Sequence, residues 1–317
     1  MRGSLVFDDG SLRGESGLSG VRIFAFGCFA IAMLSGFASS GASPVMAEEL
    51  VKFDAARLVR QTKAPRDRGG ADLLQSGHEI QGYLSKPNGG GPFPALVVLH
   101  SCLGLPENRR SMASAFASWG YVVLFVDDFA TRGIKETCAV DFGQGLPDAF
   151  GALRYLSRLP GVDPARIGTV GYSQGADTAL AIASSRFDAA FAIPKGLKFK
   201  AAAAFYPPCA NQATASPQIP TLILIGELDD VTPLADCAKL ARKRPGEPAD
   251  VKLVDYPGAY HGFDNPSFAD GTRLYGMWLK YDRSAEERSS GELRNFLPPS
   301  LLASDVVDAI RPPPRSK

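Results

Sequence analysis

The sequence predicts an α/β fold with a mostly parallel central sheet and helices on both faces. Two observations predict it. Apolar runs such as PALVVLH (94–100), YVVLFVD (121–127) and TLILIG (221–226) lack polar alternation, as strands buried on both faces require. Between such runs stand helical patterns of roughly 10 to 15 residues, and strands alternating with helices build a parallel sheet covered on two sides.

Taken in order, the first stretch stands apart from this alternation. Val21 to Ala47 (VRIFAFGCFAIAMLSGFASSGASPVMA) runs from an arginine through an apolar core, Ile23 to Phe37, into small residues ending Val45-Met46-Ala47. The core is shorter than the roughly 20 residues of a spanning helix, and the small-x-small ending suits a signal peptidase. The expectation is a signal peptide over residues 1–47, cleaved after Ala47, and a periplasmic or secreted protein without membrane attachment after cleavage. An uncleaved anchor is the alternative.

Residues 48–75 are charged and read as an irregular lead-in. HEIQGYLSKP (78–87) alternates weakly and stops at Pro87, as a strand followed by a turn does. The strand at 94–100 is followed by a helix from about Glu107 to Trp119, and the strand at 121–127 by a helix near Pro147 to Leu159. RIGTVGY (166–172) leads into a helix from Gln174 to about Ser185. KAAAAFY (200–206) and TLILIG are further strands, the second followed by a helix near Leu234 to Lys243. VKLVDY (251–256) precedes the last helix, Ala285 to Leu297. These elements form one domain over 76–300, and residues 301–317, ending RPPPRSK, are a Pro-rich tail.

Charge and cysteines narrow the function. Lys and Arg number 34 against 33 for Asp and Glu, without a long basic block, which excludes a protein that coats nucleic acid. Cys28 falls in the signal segment. Cys102, Cys138, Cys209 and Cys237 remain, and in an exported chain four thiols suggest two disulfides with three possible connectivities. There are three histidines and no CxxC or HxxxH spacing, so neither a metal nor another cofactor is expected.

Gly171-Tyr172-Ser173-Gln174-Gly175 fits G-x-S-x-G at a strand-to-helix turn, a bend that lifts a serine hydroxyl above the sheet. A serine hydroxyl needs a base within hydrogen-bond reach and a third group to orient that base. His261, in YPGAYHGFDNP after the strand 251–256, is the base of choice; His78 precedes the core strands and His100 ends one, where it shapes a loop. The acid belongs between serine and histidine in the chain. Asp229, just past the strand 221–226 in GELDDVTP, is preferred over Asp230, which suits helix capping. An oxyanion hole would take backbone N–H groups from Gln174 and from Cys102 in HSCLGL (100–105).

The stretch LHSCLGLPENRRSMASAFASWGYVVLFVDDF, the GYSQG elbow, GELDDVTP and GAYHGF together resemble the dienelactone hydrolase family of α/β-hydrolases, over about residues 78–297. The resemblance implies the α/β-hydrolase fold, with Ser173 as nucleophile, Asp229 as acid, His261 as base and Cys102 and Gln174 as hole donors. It differs from the founding pattern in three places. Ser173 stands for cysteine, Ser101 for glutamate and Asn265 for the arginine that binds a lactone carboxylate, which points away from dienelactone itself as substrate. RGIKETC and YPPC are similar to an exported branch of the family. That resemblance, with the topology, favours pairing Cys102 with Cys138 and Cys209 with Cys237, each bridge stabilising by roughly 3 to 4 kcal/mol. Arg132 is a weaker candidate for binding an anionic substrate group, with Asp177 as its partner.

The expected function is therefore a serine hydrolase for carboxylic esters or lactones, with a small-molecule substrate and no nucleic-acid partner. A serine peptidase or amidase on the same fold is the nearest alternative. A hydrolase-shaped binding protein without turnover is the alternative of another class.

Overall fold

A computed structural model of the chain describes residues 48–57, 77–140, 142–143, 145–184, 188–242 and 249–301. The expected signal peptide and almost all of the Pro-rich tail lie outside the described residues. Eight strands make one sheet: β1 (Glu49–Asp54), β2 (Glu79–Ser85), β3 (Phe93–Leu99), β4 (Val122–Asp127), β5 (Val162–Tyr172), β6 (Ala202–Phe205), β7 (Thr221–Gly226) and β8 (Val251–Tyr256). Their order is β1-β2-β4-β3-β5-β6-β7-β8. β1 and β2 are antiparallel to their neighbours, and every pairing from β4 to β8 is parallel.

Among the described residues five α-helices cover the sheet: α1 (Arg109–Ser118), α2 (Gly145–Leu156), α3 (Gln174–Ala183), α4 (Leu234–Ala241) and α5 (Arg283–Leu301). Successive residues of the central strands feed opposite faces, because strand side chains alternate. Ala95, Val97 and Leu99 pack with α2 and α3, whereas Leu96 and Val98 pack with α1 and α5. Ile223 and Ile225 meet α3 and α4, and Leu222 and Leu224 face the other layer. Every residue of β4 and β7 is buried, which explains their unbroken apolar runs. Each fully buried Leu or Val side chain contributes about 2 kcal/mol.

Two parts differ from the sequence-based expectation. The lead-in is not irregular throughout, since Glu49–Asp54 forms the edge strand β1, paired with β2 from Glu49↔Leu84 to Asp54↔Glu79. Val51 and Phe53 face the core while Leu50, Lys52 and Asp54 face solvent, a half-buried strand with period 2. Glu48 fixes its start by accepting two 2.8 Å hydrogen bonds from Arg109 of α1. The domain therefore begins near residue 48 rather than 76. A small hairpin, β9 (Thr272–Leu274) and β10 (Met277–Leu279), precedes α5 in a stretch too short for strand periodicity.

Both disulfides join the expected partners, Cys102 with Cys138 and Cys209 with Cys237. Among the described residues no helix is long and apolar enough to cross a membrane.

Candidate active site

The parallel strands end along one edge, and three side chains from well-separated segments converge there. Ser173 sits between β5 and α3 with φ 52° and ψ −111°, a conformation unfavourable for a residue with a Cβ. Glycines flank it for a steric reason. A Cβ on Gly171 would collide with the carbonyl of Gly175, and one on Gly175 with the carbonyls of Leu99 and His100. The bend is that tight because α3 must start directly against β3.

His261, on the loop after β8, brings Nε2 to 2.9 Å from Ser173 Oγ. Its Nδ1 lies 2.8 Å from Asp229 Oδ2, beyond the end of β7. An ionised Asp229 only accepts, so Nδ1 carries the proton and Nε2 is left to accept from the serine hydroxyl. Asp229 is itself held in place. Oδ1 accepts from the backbone N–H groups of Val231 (2.9 Å) and Thr232 (2.8 Å), and Oδ2 from the Thr232 hydroxyl (2.9 Å). All three convergent side chains are buried.

Asp230 points elsewhere, accepting from Trp278 N–H at 3.4 Å on the hairpin. Neither aspartate caps α4, whose N-cap Pro233 has no side-chain hydrogen bond; the loop N–H groups of Val231 and Thr232 go to Asp229. The hairpin also steadies the histidine, since Leu279 bridges His261 and Lys280 N–H donates to its carbonyl at 3.2 Å.

Cys102 and Gln174 follow β3 and Ser173 respectively, and among the described residues neither backbone N–H has an acceptor. One residue ties the two together. Thr137 donates its N–H to the Cys102 carbonyl at 2.9 Å and its hydroxyl to Gln174 Oε1 at 2.9 Å. Next to it, Cys138 is bonded to Cys102. His100 braces its own loop, with Nδ1 donating to the Ser101 carbonyl at 2.7 Å; burial lowers its pKa and keeps the ring neutral. Nothing local in the sequence singles out Thr137, whose partners lie about 35 residues away on either side.

Arg132 is not where a substrate-binding residue would be. Its guanidinium holds the buried Asp148 of α2 in two hydrogen bonds, 2.7 and 2.9 Å, and donates to the Asp128 carbonyl at 2.6 Å. It does not line the cavity over Ser173. The pairing expected with Asp177 is absent too, because that carboxylate accepts from Asn211 and Gln212 at 3.0 and 2.8 Å. The buried Asp148 claims the arginine, since an unpaired ionised carboxylate in that position is costly.

A cavity of about 260 Å³ opens over Ser173 and His261, with largely apolar walls including Leu103, Leu105, Met112, Phe268, Met277 and Leu279. Asn265 lies at its rim and uses its side chain to accept from Ser267 N–H at 3.0 Å, capping a short turn. Among the described residues no group of three or more His, Cys, Asp or Glu side chains could hold a metal ion.

Comparisons with known proteins agree with this architecture. A profile of the dienelactone hydrolase family matches residues 80–300. Two proteins named "Putative carboxymethylenebutenolidase" are similar in sequence. That of Synechocystis sp. is 26% identical, with 58% of this chain and 81% of that protein covered. That of Methylorubrum extorquens is 27% identical, covering 79% of this chain and 90% of that protein. Among solved structures, a dienelactone hydrolase-like promiscuous phosphotriesterase from metagenomic libraries superposes with a TM-score of 0.59 at 19% identity, over 80% of this chain and 99% of that one. With the profile spanning most of the described domain, the chain belongs to the dienelactone hydrolase family, as a member with serine at the elbow.

Proposed function

We propose that this hydrolase cleaves carboxylic esters or lactones through an acyl-enzyme, in the periplasm or outside the cell. One observation carries the reading: the unbroken chain of hydrogen bonds from Ser173 through His261 to Asp229, at the floor of an apolar cavity. Ser173 Oγ attacks the ester carbonyl while His261 Nε2 takes its proton. The carbonyl oxygen becomes an oxyanion that accepts from Cys102 and Gln174 N–H. As the carbonyl re-forms, the bond to the leaving alcohol breaks and Nε2 returns the proton to it. Water then attacks the acyl-enzyme by the same route and releases the acid and free Ser173. The names of the two carboxymethylenebutenolidase relatives, which describe lactone cleavage, support the lactone option. The two disulfides support an oxidising compartment.

Incubation with a fluorophosphonate and a screen of short-chain, aryl and cyclic esters test this reading. The expected result is one label on Ser173 and turnover of at least one ester class. An unlabelled, folded protein that leaves p-nitrophenyl acetate intact would make the chain a binding protein.

Thr137 gives a subtler readout. Thr137→Val keeps the shape of the side chain but removes the hydroxyl that holds Gln174. Losing one hydrogen bond of about 1 kcal/mol that positions a hole donor is expected to lower kcat about fivefold, with KM unchanged. Thr137→Ser restores the donor and should recover most of the rate. Equal behaviour of the Val and Ser variants would assign Thr137 a packing role only.

A further inference from the structure

Beside the cavity over Ser173 lies a second one of about 300 Å³, between α1 and α5. Asn108, Met112, Tyr172 and Asp264 border both cavities, and Tyr172 directly precedes the nucleophile in the chain. The second chamber is thus separated from Ser173 by only a few side chains. Phe116, Trp119, Tyr172 and Phe205 supply aromatic surface to it, while Asp264 and Glu286 supply carboxylates. No lysine or arginine lines either cavity among the described residues; the Arg294 guanidinium, 5.9 Å from the Trp119 ring, lies outside both cavity linings.

One polar atom at the junction is a buried acceptor without a donor. Asn108 Oδ1 is buried without a hydrogen-bond partner. The half-buried Asp264 accepts from the Tyr206 hydroxyl at 2.7 Å through Oδ1 and from its own backbone N–H. The Tyr172 hydroxyl makes no hydrogen bond among the described residues. An acceptor left without a donor is the negative end of a dipole, which a neighbouring cation stabilises whether or not it carries an N–H. Burial pushes the Asp264 carboxyl up to about 6, so it is ionised at pH 8 and would be relieved by an adjacent cation.

We propose that this second chamber is a substrate subsite for a cationic, ammonium-bearing group, placed between the aromatic walls and the Asp264 carboxylate. Aromatic faces and a carboxylate attract a cation together, and a carboxylate-bearing substrate would meet only like charge. The inference rests on the ester-hydrolase reading above and extends it to the substrate's charge.

Matched esters test it at pH 8. Butyrylcholine is compared with its neutral carbon isostere, 3,3-dimethylbutyl butyrate. The p-nitrophenyl esters of 4-(trimethylammonio)butyrate, of its neutral isostere 5,5-dimethylhexanoate and of monoanionic glutarate place the group on the acyl side. On one side or the other, kcat/KM is expected to favour the cation over the neutral isostere by at least about fivefold, with the anion slowest. Asp264→Asn should bring the cation-to-neutral ratio close to one. Ala115→Phe, which narrows the chamber from α1, should remove the preference and leave p-nitrophenyl acetate turnover unchanged. Neutral isosteres that match or exceed the cations on both sides would overturn the subsite, as would a preference that survives both variants. No turnover of any ester would instead defeat the underlying hydrolase reading, so the two failures are distinct.

Discussion

Ser173→Ala is expected to lower kcat for p-nitrophenyl butyrate by about 10⁵- to 10⁶-fold, with little change in KM. The size follows from what the hydroxyl does in the proposed mechanism: without it no acyl-enzyme forms, and the imidazole at 2.9 Å has no proton to take. Cys102 and Gln174 N–H would still polarise a bound carbonyl toward water, so a residual rate above the uncatalysed one is expected. The fold should persist, because the hydroxyl's only hydrogen bond among the described residues is to His261 and the bend is set by its backbone and its glycines. Steady-state kinetics, fluorophosphonate labelling and a thermal melt on the same sample make the check. A folded variant that keeps more than about one hundredth of the rate would mean that another group attacks the ester.

How much of this site can be read from the sequence depends on whether each part leaves a local mark. The elbow does, because the steric demands on Gly171 and Gly175 lie within two residues of Ser173. The central strands do as well: burial on both faces forces the apolar runs at 94–100, 121–127 and 221–226. His261 and Asp229 are marked by their place after β8 and β7, since residues at the ends of parallel strands share one edge of the sheet. The choice between Asp229 and Asp230 is not marked, because it turns on which carboxylate the Val231 and Thr232 amides orient. Arg132 was misleading for a related reason. Its partner Asp148 is fixed by the packing of α2, sixteen residues away, and no period or spacing announces it. β1 did carry a signal, the Val51, Lys52, Phe53 alternation, but a half-buried edge strand of six residues between charged segments is weak against its background. The β9–β10 hairpin has strands of three residues, too short for any periodicity, yet it delivers Met277 and Leu279 to the cavity. The cavity walls are therefore the least legible part, assembled largely from loops whose neighbours are distant in the chain.

Asp229→Asn is expected to lower kcat by about 10⁴-fold at neutral pH while leaving the structure nearly unchanged. The asparagine can keep its oxygen on the Val231 and Thr232 N–H groups, as Asp229 Oδ1 does now. Its amide NH₂ then faces His261 Nδ1, where Asp229 Oδ2 stands at 2.8 Å. Two donors cannot share that contact, so the imidazole shifts its proton to Nε2 and presents an N–H to Ser173 instead of a lone pair. The serine loses its base without losing its geometry, and no carboxylate remains to stabilise an imidazolium. Asp229→Ala is expected to cost stability as well, by about 1 to 3 kcal/mol, because it leaves the Val231 and Thr232 donors without their acceptor. Asp230→Asn serves as the control. That carboxylate reaches only the hairpin among the described residues, and its loss should change kcat by less than about threefold. If the Asp229 and Asp230 variants slow the reaction equally, orientation of His261 by Asp229 is not what prepares the base, and the proposed division of labour at the site fails.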